Sequence, residues 1–186
     1  MNIIKSDTEP NQLKFSEMEI ASLFECRTSK VDKTLHSNVN SIIKSRLSIP
    51  DTVLWRGVTQ QEIDLLDEAK ESMQPFEFGR VTSFTEDYGI ARDFAAMEYV
   101  TRTIVRLNQT KAFCYHDAMR KIALDVPLEF FNTASGSARA ATLRREEYMD
   151  MIDSELEWFV PVDQKFVVVD AGFVGDYYVL DCVQEQ

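Results

Sequence analysis

With 31 acidic against 20 basic side chains in 186 residues, the chain carries a formal charge of −11, which repels phosphate backbones and sets aside tight, non-specific nucleic-acid binding. Apolar residues at 45% and aromatics at 11% supply a packed core and exclude a disordered chain. No run approaches the roughly 20 apolar residues of a membrane-spanning helix, so no membrane partner is expected.

The length fits one domain over 1–186, with 1–11 a flexible tail and 12–48 an N-terminal helical part. Met1–Asn11 is polar and shows no secretory signal. From Leu13 to Leu47 the apolar residues recur at helical spacing, with Val39, Ile42, Ile43 and Leu47 the clearest set. Pro50 stops the helix, and Asp51–Val58 reads as a short buried strand. Thr59-Gln60-Gln61-Glu62 fits a capping box opening a helix with Ile63 and Leu66 inward.

Phe76–Thr85 reads as extended, and Glu86–Tyr99 as a helix with Ile90, Ala91, Phe94 and Ala95 inward. Thr101–Leu107 alternates like a strand, Tyr115–Val126 reads as a helix, and a polar, alanine-rich segment runs to Met151. Strands dominate the last third: Trp158–Val160, Lys165–Asp170 and Tyr177–Val183. Helices first and strands late predict an α+β fold with a mainly antiparallel sheet. No glycine-rich phosphate loop of either common kind is present.

Cys26, Cys114 and Cys182 are far apart and accompanied only by His36 and His116. That set reads as reduced thiols in a cytosolic protein, with neither a disulfide framework nor a metal site.

Three features stand out. Arg56 sits inside the apolar strand Val53-Leu54-Trp55-Arg56-Gly57-Val58 and needs an anionic partner, either an internal carboxylate or a ligand phosphate. Gly57 beside it leaves room for a ligand at the backbone. In Val81-Thr82-Ser83-Phe84-Thr85 the hydroxyls of Ser83 and Thr85 share one strand face, where they can serve a ligand or simply cap the following helix. Glu155 and Glu157, placed at a strand entry, fall on one face about 6–7 Å apart and can divide labour between charge stabilisation and proton transfer. A solvated acidic turn is the plain alternative.

In this order, the blocks LWRGV, VTSFTEDYGIARDF and SELEWFVPVDQKFVVVD resemble the arginine–serine–glutamate class of ADP-ribosyltransferases over about Ser41 to Asp170. The chain looks most like the small members carried by T-even bacteriophages, the Alt/Mod type. It departs from the class in having Thr85 where a second serine is usual and Phe84 where threonine is common.

The resemblance implies a split sandwich of two mainly antiparallel sheets with N-terminal helices, and NAD as co-substrate in the cleft between them. It implies mono-ADP-ribosyl transfer, with no metal. Glu157 would supply negative charge at the ribose, and Arg56 would bind the pyrophosphate. Ser83 would orient Glu157, with Thr85 completing the strand edge and Gly57 in the cofactor set. Glu155 would orient and deprotonate an incoming arginine, and Arg145–Ser154 would be the acceptor-facing loop, with Tyr148 and Met149 as contacts. An aromatic near the nicotinamide is implied, a place that Phe94 or Trp158 could fill, although each is more often a core residue. Host proteins in the cytoplasm, possible targets including the transcription or translation machinery, would be the acceptors by family analogy. An NAD glycohydrolase using the same site, or a non-catalytic acidic protein binding a basic partner, are the alternatives.

Overall fold

The computed structural model describes residues 14–28, 33–132 and 137–185; the tail expected over 1–11 lies outside them. Two helices open the described chain, α1 (Glu17–Thr28) and α2 (Lys33–Lys44). On α2, Leu35, Val39, Ile42 and Ile43 recur at helical spacing and all are buried. The strand β1 (Leu54–Gly57) leads into α3 (Gln60–Ser72), whose start is the expected capping box: the Thr59 hydroxyl accepts from the Glu62 amide while the Glu62 carboxylate accepts from the Thr59 amide.

After β2 (Phe76–Glu77) and β3 (Thr82–Thr85) comes α4 (Tyr88–Asp93), capped by the Asp87 carboxylate and continuing into a π-helical turn over Phe94–Glu98. Then follow β4 (Thr103–Asn108), β5 (Phe113–Cys114), α5 (Tyr115–Asp125), α6 (Ala138–Glu155), β6 (Glu157–Val160), β7 (Lys165–Val174) and β8 (Tyr177–Gln184).

The strands hydrogen-bond in the order β2-β7-β8-β4-β1-β3-β6-β5, with only β4–β8 parallel. The α+β class and the mainly antiparallel pairing expected from the sequence are therefore present. The ladder is pinched at one place. β1 pairs with β4 through four residues and β3 with β6 through four, but β1 meets β3 only at Trp55–Thr85. That narrow joint divides a five-strand half from a three-strand half, and the division between two sheets takes this form.

Apolar packing stabilises each side. Leu54, Phe84, Val105, Phe166 and Leu180 form one buried cluster beneath α3, while Leu23, Val39, Tyr115, Met119 and Phe159 form another under α1, α2 and α5. No helix among the described residues is long and apolar enough to cross a membrane.

Two expectations fail at the end of α6. The segment Arg145–Ser154, expected as a loop, is the second half of an 18-residue helix, and Tyr148 stacks on Phe24 with ring centroids 5.0 Å apart. Tyr148 thus packs within the N-terminal core and is not turned outward to an acceptor. Nor do Glu155 and Glu157 share one strand. Glu155 ends α6, Leu156 adopts a left-handed conformation (φ 45°), and Glu157 begins β6. The helix persists because its last turns meet partners: the Thr85 hydroxyl donates to the Glu155 carbonyl at 2.7 Å, and the Glu86 amide to the Leu156 carbonyl at 3.3 Å.

Candidate active site

A two-lobed cleft opens at the pinch between β1 and β3. Its smaller lobe, about 70 Å³, is walled by Trp55, Gly57 and Thr85 on the strand side and by Ile90, Ala91 and Phe94 on the helical side. Its larger lobe, about 640 Å³, adds Cys26, His36, Arg80, Val81 and Phe159. Arg56, Ser83, Tyr99, Glu155 and Glu157 line both. All six residues singled out in the sequence, Arg56, Gly57, Ser83, Thr85, Glu155 and Glu157, thus border one cleft. The larger volume lies within the roughly 300–1,000 Å³ usual for small-molecule sites.

Arg56 is nearly buried, and its carboxylate partner is internal. Its Nη2 lies 3.0 Å and its Nε 3.3 Å from Glu62 Oε1, and its Nη1 donates to the Ser83 carbonyl at 2.9 Å. Nη2 also reaches Glu62 Oε2 at 3.4 Å, and a guanidinium has five N–H donors, so at least one remains after these four bonds. The alternatives of internal carboxylate and ligand phosphate are therefore compatible. Glu62 also accepts from Arg80 Nη2 at 2.8 Å, so one buried carboxylate holds two guanidinium groups at the larger lobe. Burial by itself raises the Glu62 carboxyl, but the Arg56 charge, the Thr59 amide and Arg80 together hold it below the usual carboxylate range.

Across β3 and β6 the register sets Thr85 directly opposite Glu157 and Ser83 opposite Phe159, leaving Ser83 on the diagonal to Glu157. The Thr85 hydroxyl fastens the turn, donating to the Glu155 carbonyl and accepting from the Asp87 amide at 3.1 Å. This bond, and not strand alternation, brings Glu155 beside Glu157. Gly57 serves packing as much as approach: a Cβ there would lie 2.5 Å from both the Ala91 carbonyl and the Ala95 amide nitrogen. The space next to its backbone belongs to α4.

Sequence reasoning expected Phe94 to point inward, yet it is 42% exposed, borders the smaller lobe and stacks on Tyr99 at 6.2 Å. Trp158 is core, its Nε1 donating to Glu86 at 2.7 Å, whereas Trp55, Phe84, Phe94 and Tyr99 line the smaller lobe. Three further residues border or support the site, beyond the six candidates. His116 Nδ1 lies 3.2 Å from the Glu157 carbonyl and buttresses its backbone. Arg80 and Cys26 border the larger lobe, and burial, reinforced by the Glu157 charge, pushes the Cys26 thiol up to about 11. Only Arg80 had a local signal, three residues before Ser83.

Comparison with known proteins identifies the family. The model of the bacteriophage T4 Mod ADP-ribosyltransferase family matches residues 7–181. The chain belongs to this family. Against the NAD–protein ADP-ribosyltransferase modB of Enterobacteria phage T4, this Mod-family chain is 32% identical over 149 residues, 80% of its length and 72% of the relative's. Against modA of the same phage it is 29% identical over 161 residues, 84% of this chain and 73% of the other. Among solved structures, the C3 exoenzyme of Clostridium limosum superposes with a TM-score of 0.52 at 9% identity, covering 93% of this chain and 87% of that one. At that identity the likeness is one of fold, and it supports the ADP-ribosyltransferase architecture of the Mod family.

Proposed function

We propose that this transferase cleaves NAD at the nicotinamide–ribose bond and transfers a single ADP-ribose to arginine side chains of host proteins in the host cytoplasm. The observation that carries this reading is the convergence of Arg56, Ser83, Glu155 and Glu157 on one cleft from four separate elements. NAD supplies a leaving group that is already cationic, so the developing charge resides on the ribose as an oxocarbenium ion. The chain's task is to hold fixed negative charge there and to limit water.

Glu157 fits the first role: it is anchored by its ladder pairing to Thr85 and by His116 at its carbonyl. Arg56 and Arg80 fit the pyrophosphate, both being donor-only groups held in place by Glu62. Ser83 lines the cleft on the diagonal to Glu157, where its hydroxyl is suited to orienting that carboxylate. Glu155, at a helix end next to Glu157, is suited to taking a proton from the acceptor guanidinium, which is a poor nucleophile while charged. In the class that this chain resembles, glutamate at that position goes with arginine as acceptor.

The test separates three outcomes. Labelled NAD and a host lysate should give labelled proteins, and Glu157→Ala should lower transfer and NAD hydrolysis together by about 10³-fold. Glu155→Gln should cut transfer by about 10²-fold or more while hydrolysis persists. Loss of both activities in Glu155→Gln would remove its acceptor-specific role. Protein labelling that survives Glu157→Ala would remove the site.

A further inference from the structure

Among the side chains of the larger lobe that the chemistry above leaves unused is a histidine. His36 projects from α2 into the lobe wall beside Cys26, Val81 and Phe159. Among the described residues its Nδ1 is buried and has no hydrogen-bond partner, and Nε2 is not among the buried, unpartnered atoms, which leaves Nε2 as the nitrogen that a ligand in the lobe can meet. A neutral imidazole carries one N–H. In that neutral form an N–H on Nδ1 would be a buried unpaired donor, so the Nε2–H tautomer is the one that suits this wall. The lobe then adds a His36 Nε2–H donor to the guanidinium groups of Arg56 and Arg80. Such a set matches an oxygen-rich group. An acceptor arginine, a donor-only group, would instead meet the carboxylates Glu155 and Glu157.

We infer that His36 is a binding residue for the ADP-ribose half of NAD, its Nε2–H donating to a phosphate or ribose oxygen. The inference rests on the NAD-dependent reading above. Nδ1 stays unpaired with or without that ligand, so the fold gains no hydrogen bond from this nitrogen.

Two variants test it. His36→Leu keeps much of the volume and removes the unpaired nitrogen. It should melt at or above the wild-type temperature while KM for NAD, and Kd for ADP-ribose by calorimetry, rise about tenfold. Its kcat for hydrolysis and its inhibition by nicotinamide should stay within about twofold of wild type, because the contact is made equally in ground and transition states. His36→Gln, whose amide nitrogen reaches near the Nε2 position, should recover most of the affinity. A lowered melting temperature in His36→Leu with no rescue by His36→Gln marks a structural residue and overturns the inference. So does a KM effect confined to the protein acceptor. Wild-type protein that neither binds ADP-ribose nor hydrolyses NAD overturns the functional reading itself; wild-type activity matched by both variants overturns the His36 assignment alone.

Discussion

The strand wall of the cleft and its helical wall differ in how firmly they are held. On the strand side, Arg56, Ser83 and Glu157 lie on β1, β3 and β6, each paired in the ladder, and Arg56 is further tied to Glu62. The opposite wall is one short helix ending in a π turn, followed by Val100 and Arg102, both at positive φ (55° and 51°). There the Ala95 carbonyl accepts from both Thr101 and Arg102 amides, and Phe94 and Val100 face solvent. Charge stabilisation needs groups that do not reorganise during reaction, which favours the ladder. A wall that admits and releases a dinucleotide tolerates strain and a looser hold.

If the strand wall owes its rigidity to Glu62, removing that carboxylate breaks the contrast. Glu62→Ala leaves Arg56 buried without its counter-charge, and a loss of about 3–5 kcal/mol in denaturant unfolding is expected. The pH dependence carries the same information. Because the folded Glu62 carboxyl lies below its unfolded value, near 4.3, its contribution is complete above that value. It fades as the pH falls through the lower folded value. Glu62→Gln should lack this acid-side loss, and equal slopes of stability against pH below about 4.3 in both proteins would show that Glu62 does not hold the wall.

The helical wall can be displaced directly. In Gly57→Ala the new methyl would stand 2.5 Å from backbone atoms of Ala91 and Ala95, which cannot swing aside as a side-chain tip can. The helix must shift, at about 1–3 kcal/mol, and KM for NAD should rise with it. Unchanged stability would mean that α4 yields freely, sharpening the difference between the walls.

What the sequence made legible follows how local each signal is. The Thr59–Glu62 capping box is four residues of backbone chemistry and is readable as such. That the same Glu62 would bridge Arg56 and Arg80 depends on where α3 packs, which no spacing encodes. The three site blocks were readable by residue type and order, yet the Glu155–Glu157 geometry was not. Along α6 only Ala141 and Ile152 are buried, so its charged surface shows almost no apolar periodicity. Its stop at Leu156 uses neither glycine nor asparagine, the residues that announce a left-handed cap. His36 and His116 were visible only as histidines, since their meaning lies in an unpaired nitrogen and in a bond to the Glu157 carbonyl.

The smallest effect examines the strain in the helical wall itself. Val100 is β-branched, 78% exposed, and held at φ 55°, where an L-residue meets a penalty of roughly 1–2 kcal/mol. Val100→Gly removes that penalty and sacrifices little buried surface, but it frees the unfolded chain by about 0.5–1 kcal/mol. The net expectation is a gain of about 0.5–1 kcal/mol, seen as a higher melting temperature. If strain in this segment helps the wall to open, the same variant should change the rate of product release without altering the chemical step, which single-turnover kinetics separates. A lower melting temperature would mean that Val100 makes contacts that outweigh its backbone strain, and the two walls would then be equally well held.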